Sequence, residues 1–136
     1  MTEKQLIDLA VSAMEKAYAP YSKYKVGAAL LTAGGKVFTG CNVENASYGA
    51  TVCAERTALL KAVSEGEKEF KMLAVAGGKY GKIIGAFPPC GICRQVLAEF
   101  CSDDFTVLAV TGYDSYKRYT LKELLPFAFT NENIEV

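Results

Sequence analysis

Residues 70–110 carry FKMLAVA at 70–76, CGICRQVLAEF at 90–100 and FTVLAV at 105–110. The two apolar runs are short, rich in β-branched and aliphatic residues, and show no alternation of polar and apolar positions. They therefore predict strands buried on both faces. The segment between them has apolar residues at helical spacing, so 70–110 reads as strand, crossover helix, strand. Such a connection places parallel strands in one sheet and needs helices to cover it. The loop from Gly77 to Pro89 that precedes the helix holds the Gly and Pro expected of a connection. Gly77, Gly78 and Gly81 beside Lys79 and Lys82 do not make a phosphate loop. No Gly stands five residues before either Gly-Lys pair, and no Ser or Thr follows.

Upstream of that unit, KVGAALLTA at 25–33 and KVFTGCNV at 36–43 flank Gly34-Gly35 and predict an antiparallel hairpin. Residues 52–64 form a helix that stops at Gly66. Thr2 and Gln5 suggest a capping box, and Leu6, Leu9, Ala10, Ala13 and Ala17 continue a first helix to about Tyr18, before Ala19-Pro20. Downstream, KRYTL at 117–121 reads as a short edge strand and LKELL at 121–125 as a helix opened by Thr120 and Glu123. The order α-β-β-α-β-α-β-β-α predicts a three-layer α/β/α sandwich around a mixed five-stranded sheet, with residues 1–136 as one domain.

Composition narrows the partners. A chain of 136 residues that is 51% hydrophobic and 22% charged has the makings of one ordinary core. Fifteen basic and fifteen acidic residues balance, with no basic stripe. Nucleic acid is disfavoured, since it needs concentrated positive charge, and a small uncharged ligand is expected. The first eighteen residues mix acids and bases among apolar positions, so neither a secretion signal nor a membrane span is expected there. The expected location is cytoplasmic, where the thiols of Cys41, Cys53, Cys90, Cys93 and Cys101 stay reduced.

Cys90 and Cys93 open a predicted helix directly after Pro88-Pro89. This puts both sulfurs on one side of its first turn, where amide N–H groups and the helix dipole favour thiolate. Cys53 also opens a helix, so two helix starts can converge and offer three soft ligands to a zinc ion, leaving a fourth position for water. A redox Cys-x-x-Cys is one alternative. A closed, non-catalytic zinc-stabilised module is another, with Cys41 or Cys101 as fourth ligand; each otherwise reads as a small buried hydrophobe. In a chain without histidine, Glu55 is the natural proton shuttle for a metal-activated water. Neighbours two apart in a regular helix point about 200° apart, so Cys53 must sit in an irregular first turn if both are to face the metal.

Cys53-Ala54-Glu55 and Pro89-Cys90-Gly91-Ile92-Cys93 match the zinc deaminase signature H-x-E…P-C-x-x-C, with Cys in the His position. With YAPYSKYKVGAAL, GCNVENASYG, CAERTAL, PPCGICRQV and ELLPFAF, nearly the whole chain resembles the small homotetrameric cytidine deaminases. The resemblance implies one Zn²⁺ per subunit, a free nucleoside substrate, and active sites shared between subunits. It further implies that Asn42 and Glu44 bind the ribose 3′-hydroxyl, that Ala54 offers its backbone N–H to the cytosine carbonyl, and that Tyr24 stacks on the pyrimidine. Tyr48 and Phe129 would complete the pocket across subunits. Arg56, with Arg94 assisting, would offset the net negative charge of three thiolates around Zn²⁺. The chain departs from the family at Tyr24, where Phe is usual, at Ile92, bulkier than the usual residue, and at Phe127, a position often glycine. These bear on substrate preference. An aminonucleoside-antibiotic deaminase, acting on a compound such as blasticidin S, shares the zinc strings but is not expected to carry Asn42-Val43-Glu44-Asn45.

Overall fold

A computed structural model describes residues 1–134. Helix α1 (Glu3–Ala13) starts at a Thr2–Gln5 capping box and continues as a 3₁₀ turn over Met14–Lys16. Strands β1 (Tyr24–Thr32) and β2 (Val37–Cys41) form the hairpin around Gly34-Gly35, followed by α2 (Ala54–Ser64), β3 (Phe70–Lys79) and α3 (Gly91–Phe100). Strands β4 (Thr106–Gly112) and β5 (Ser115–Thr120) lead into α4 (Leu121–Leu124), which has its own Thr120–Glu123 capping box. Short 3₁₀ turns lie at Tyr48–Ala50 and Asn131–Asn133.

The sheet order is β2-β1-β3-β4-β5. Only β3 and β4 run parallel, joined by the α3 crossover; the other neighbours are antiparallel, so the sheet is mixed. On one face α1 and its 3₁₀ continuation bury Leu6, Ile7, Ala10 and Met14 against Ala29, Leu31, Ala74, Ala76, Leu108 and Val110. On the other, α2 and α3 bury Ala54, Ala58, Leu59, Ala62 and Leu97 against Ala28, Leu30, Leu73, Val75 and Val107. Alternate residues of β1 and β3 thus enter different cores. That is why these strands read as continuous apolar runs, and why the fold is a three-layer sandwich.

Several boundaries differ from the sequence reading. Helix α1 ends at Ala13 and its 3₁₀ continuation at Lys16, short of the expected Tyr18, which is held in extended pairing with Val43. Strand β3 continues through Gly77 and Gly78 to Lys79, because β1 pairs Val26, Lys25 and Tyr24 with those residues. The glycines serve close approach there: a Cβ on Gly78 would lie 1.7 Å from the Lys82 carbonyl oxygen. Helix α2 starts at Ala54, not Val52, since Val52 is held in extended pairing with Val43. Strand β5 begins at Ser115, two residues before the expected start.

Candidate metal centre and active site

The site forms where α2 and α3 begin. Cys53 is the extended residue immediately before α2 (φ −73°, ψ 156°), and Cys90 holds the same place before α3 (φ −67°, ψ 169°). Pro88-Pro89 keeps the approach to Cys90 out of the helical region, and the Cys93 amide donates back to Cys90 Sγ at 3.5 Å. Gly40 lets β2 press against the first turns of α2: a Cβ there would lie 2.6 Å from the Ala54 carbonyl oxygen. Arg94 fixes the other turn, its guanidinium donating to the carbonyls of Pro89 and Leu124 at 2.8 Å each.

The Sγ atoms of Cys53, Cys90 and Cys93 all lie within 4.8 Å of one another. Cys53 and Cys90 are 3.8 Å apart, and Cys90 and Cys93 3.4 Å. A tetrahedral zinc with Zn–S bonds of about 2.3 Å spaces its sulfurs about 3.8 Å apart, so this donor set fits zinc in both chemistry and spacing. Cys101 ends α3, roughly 15 Å along the axis of a ten-residue helix, and burial pushes its thiol up to about 12. Cys41 points elsewhere, its thiol donating to the Lys16 carbonyl at 3.3 Å. Among the described residues neither cysteine joins the cluster, and a fourth sulfur does not close it.

Charge is arranged around the sulfurs. A hydrogen bond from Cys93, aided by Arg56, holds the Cys53 thiol well below the ordinary thiol range, while Cys93, donating to Cys53 and buried, is pushed up. Arg56 Nη2 lies 3.8 Å from Cys53 Sγ and donates to the Thr51 carbonyl at 3.2 Å. Its buried Nε has no partner among the described residues. Glu55 is only 4% exposed. Burial, with the Cys53 charge adding to it, pushes its carboxyl up to about 7. A carboxyl in that range can both take and return a proton near neutral pH.

Cys53, Cys90, Ala54 and Glu55 open onto a cavity of about 180 Å³ whose remaining walls include Tyr24, Val26, Asn42, Thr51, Phe87 and Pro88. Asn42 is buried; its Oδ1 accepts from the Val26 amide at 2.9 Å and its Nδ2 donates to the Tyr24 carbonyl at 2.8 Å. Glu44 lies in an adjoining pocket with Tyr21, Ser22 and Tyr48, sharing Thr51 with the first. Its carboxylate accepts from the amides of Tyr21 and Ser22 and from the Ser22 hydroxyl. The Ser22 hydroxyl is the main cause of a lowered Glu44 pKa. Tyr48 and Phe129 do not line the cavity and stand exposed. Ile92 is 62% exposed on α3, outside the cavity. Phe87, part of a stretch read as ordinary loop, was missed as a wall. Its adjacency to Pro88-Pro89-Cys90 was the available signal.

A buried carboxyl beside three sulfurs that could hold a metal ion, at paired helix starts, fits a zinc-dependent hydrolase of the deaminase class. The model described as the cytidine and deoxycytidylate deaminase zinc-binding region matches residues 1–109, and the chain belongs to that family. It is 46% identical over 134 residues to the cytidine deaminase of Sporosarcina psychrophila, covering 98% of this chain and 96% of the relative. It is 48% identical over 134 residues to that of Halalkalibacterium halodurans, covering 98% of each. A crystal structure of cytidine deaminase from Burkholderia pseudomallei superposes with a TM-score of 0.88 at 49% identity, over 95% of this chain and 100% of that one. Blasticidin-S deaminase from Bacillus cereus is more distant, 29% identical over 130 residues, with 93% of this chain and 91% of the relative covered.

Proposed function

We propose that this enzyme hydrolyses the 4-amino group of free cytidine and deoxycytidine, yielding uridine or deoxyuridine and ammonia, a step of pyrimidine salvage. The observation that carries the reading is Glu55, a buried carboxyl at the junction of the three-sulfur cluster and the cavity. Held by Cys53, Cys90 and Cys93, zinc supplies the Lewis acidity that makes water a competent nucleophile at neutral pH. Glu55 takes the proton released as water adds to C4 and passes it to ring N3. It then carries the second proton from the new hydroxyl to the exocyclic amine. Ammonia leaves, a C4 carbonyl remains, and the carboxyl returns to its starting state.

The other residues hold the substrate. The Ala54 amide, among the first N–H groups of α2 and so without a partner inside the helix, donates to the cytosine carbonyl. Tyr24 walls the base. Asn42, pinned by two backbone contacts, keeps a second Nδ2 hydrogen for the sugar hydroxyl, and Glu44, fixed by three donors, receives that hydroxyl from the other side. A carboxylate at the sugar favours nucleosides over phosphorylated substrates. Arg56 lends positive character to a site that three thiolates around Zn²⁺ would leave at net −1, and Arg94 keeps the Cys90 turn in place.

Exposure of Tyr48 and Phe129 at 74% and 60% fits side chains that finish a neighbour's pocket, in keeping with the homotetramer with shared sites that the resemblance implies. No helix among the described residues is long and apolar enough to cross a membrane; reduced thiols at the metal suit the cytoplasm.

Loss of cytidine ultraviolet absorbance, followed for the protein and its Glu55→Gln variant with bound zinc measured in both, tests the reading. Turnover in the wild type, and a fall of at least about 10²–10⁴ in the variant at equal zinc, is expected. Equal rates remove Glu55 from the mechanism. Faster turnover of blasticidin S than of cytidine would favour the antibiotic-deaminase reading.

A further inference from the structure

Phe87 occupies a notch that only glycine leaves open. A Cβ built on Gly77 would lie 2.9 Å from both Cγ and Cδ1 of the Phe87 ring and 3.1 Å from Val26 Cγ2. Gly77 pairs with Val26 across β3 and β1, and Tyr24 lies two residues before Val26, so it faces the same side of β1. There the Tyr24 and Phe87 rings stack, with centroids 5.9 Å apart and planes 27° from parallel. Tyr24 is 42% exposed, too open to be held by core packing alone. The Phe87 ring is backed by the glycine and valine of the sheet and faces the cavity that contains Glu55. The turn carrying Cys90 has separate anchors, in the Arg94 contacts to Pro89 and Leu124.

From this arrangement we infer that Phe87, seated on Gly77, is a positioning residue that sets the angle of the Tyr24 ring and thereby the affinity for the pyrimidine, without acting on the metal or on Glu55. The inference rests on the nucleoside deaminase reading above and adds a residue to it. Without the Phe87 ring, Tyr24 gains rotamer freedom, which substrate binding must remove at the expense of affinity. Proton transfer at Glu55 and metal retention by the cysteines do not involve Phe87.

The test compares Phe87→Ala and Gly77→Ala with wild type, each alone and in a Tyr24→Leu background. Measurements are kcat and KM for cytidine, inhibition by uridine, zinc content and thermal unfolding. Gly77→Ala leaves Phe87 intact and displaces its ring from behind. Each single substitution is expected to raise KM and the uridine inhibition constant about tenfold, about 1.4 kcal/mol of binding. Expected kcat stays within about threefold, with zinc unchanged. In the Tyr24→Leu background the same substitutions add little further, since both act through one ring. An unchanged KM in folded variants, a loss confined to kcat, or a full additional loss without Tyr24 overturns the inference. Failure of the wild type itself to deaminate cytidine would count against the functional reading instead. Should Phe87→Ala not fold, Phe87→Leu and Gly77→Ala carry the same comparison.

Discussion

Cys53 and Glu55 face one sulfur cluster although a single residue separates them. Within a regular helix, side chains two apart diverge by about 200°. Here Cys53 stays extended at ψ 156° and Glu55 has already entered α2, so the change of backbone conformation at the helix start brings the thiol and the carboxyl to the same side. The consequence is electrostatic: the Cys53 charge adds to burial in raising the Glu55 pKa.

That relationship gives the metal-free fold a pH signature. The folded Glu55 titrates near 7, above the unfolded value of about 4.3, so its ionisation opposes folding. The penalty is absent below about pH 4, grows between the two values, and is complete above 7. Glu55→Gln should therefore stabilise the chelator-treated protein at pH 8, on the order of 3–4 kcal/mol, and the gain should vanish towards pH 4. Urea midpoints across that range measure it; a pH-independent difference would contradict the buried-carboxyl account.

Zinc content should divide the five cysteines into two groups. Ser at Cys53, Cys90 or Cys93 is expected to abolish stoichiometric zinc and turnover, whereas Cys41→Ser and Cys101→Ser keep one ion per chain. Cys101→Ser should lower stability by about 1 kcal/mol, because a hydroxyl replaces a partly buried thiol. Elemental analysis of the purified variants decides the matter, and zinc lost from either of the last two would point to a closed metal site.

Removing the Arg56 guanidinium leaves the sulfur cluster without its cationic neighbour. Arg56→Gln should weaken zinc binding about 10–100-fold, the usual range for groups that support metal ligands. Competition with a chromophoric chelator reads this directly. An unchanged affinity would reduce Arg56 to its contact with the Thr51 carbonyl.

Phe127 has φ 52°, in the left-handed region, and its side chain is fully exposed. Phe127→Gly should relieve that conformation and stabilise the chain by about 1 kcal/mol, raising the Tm by a few degrees in a thermal scan. A lower Tm would mean that the ring gains a contact in the assembled enzyme that outweighs its strain.

Much of this architecture is legible in the sequence because local and tertiary demands agree. The runs at 70–76 and 105–110 are apolar on both faces since α1 and the α2–α3 pair cover both faces, and Thr2–Gln5 and Thr120–Glu123 cap the helices they were expected to cap. The misreadings occur where a long-range contact overrides a local signal. Gly77-Gly78 looked like loop residues, yet β1 pairs with them, and their missing side chains make room for Phe87 and for the Lys82 carbonyl. Phe87 was hidden for the same reason, its importance arising from a notch on a strand ten residues earlier. The left-handed backbone of Phe127 gives a physical reason for the glycine that the resemblance implies there, which the sequence shows only as a departure.

The most direct test of the central claim is X-ray absorption at the zinc edge on the purified enzyme, which counts the atoms bound to the ion. The account predicts three sulfurs at about 2.3 Å and one light atom from solvent, with the light-atom signal altered when a nucleoside inhibitor is added. Four sulfurs, or fewer than three, would contradict it.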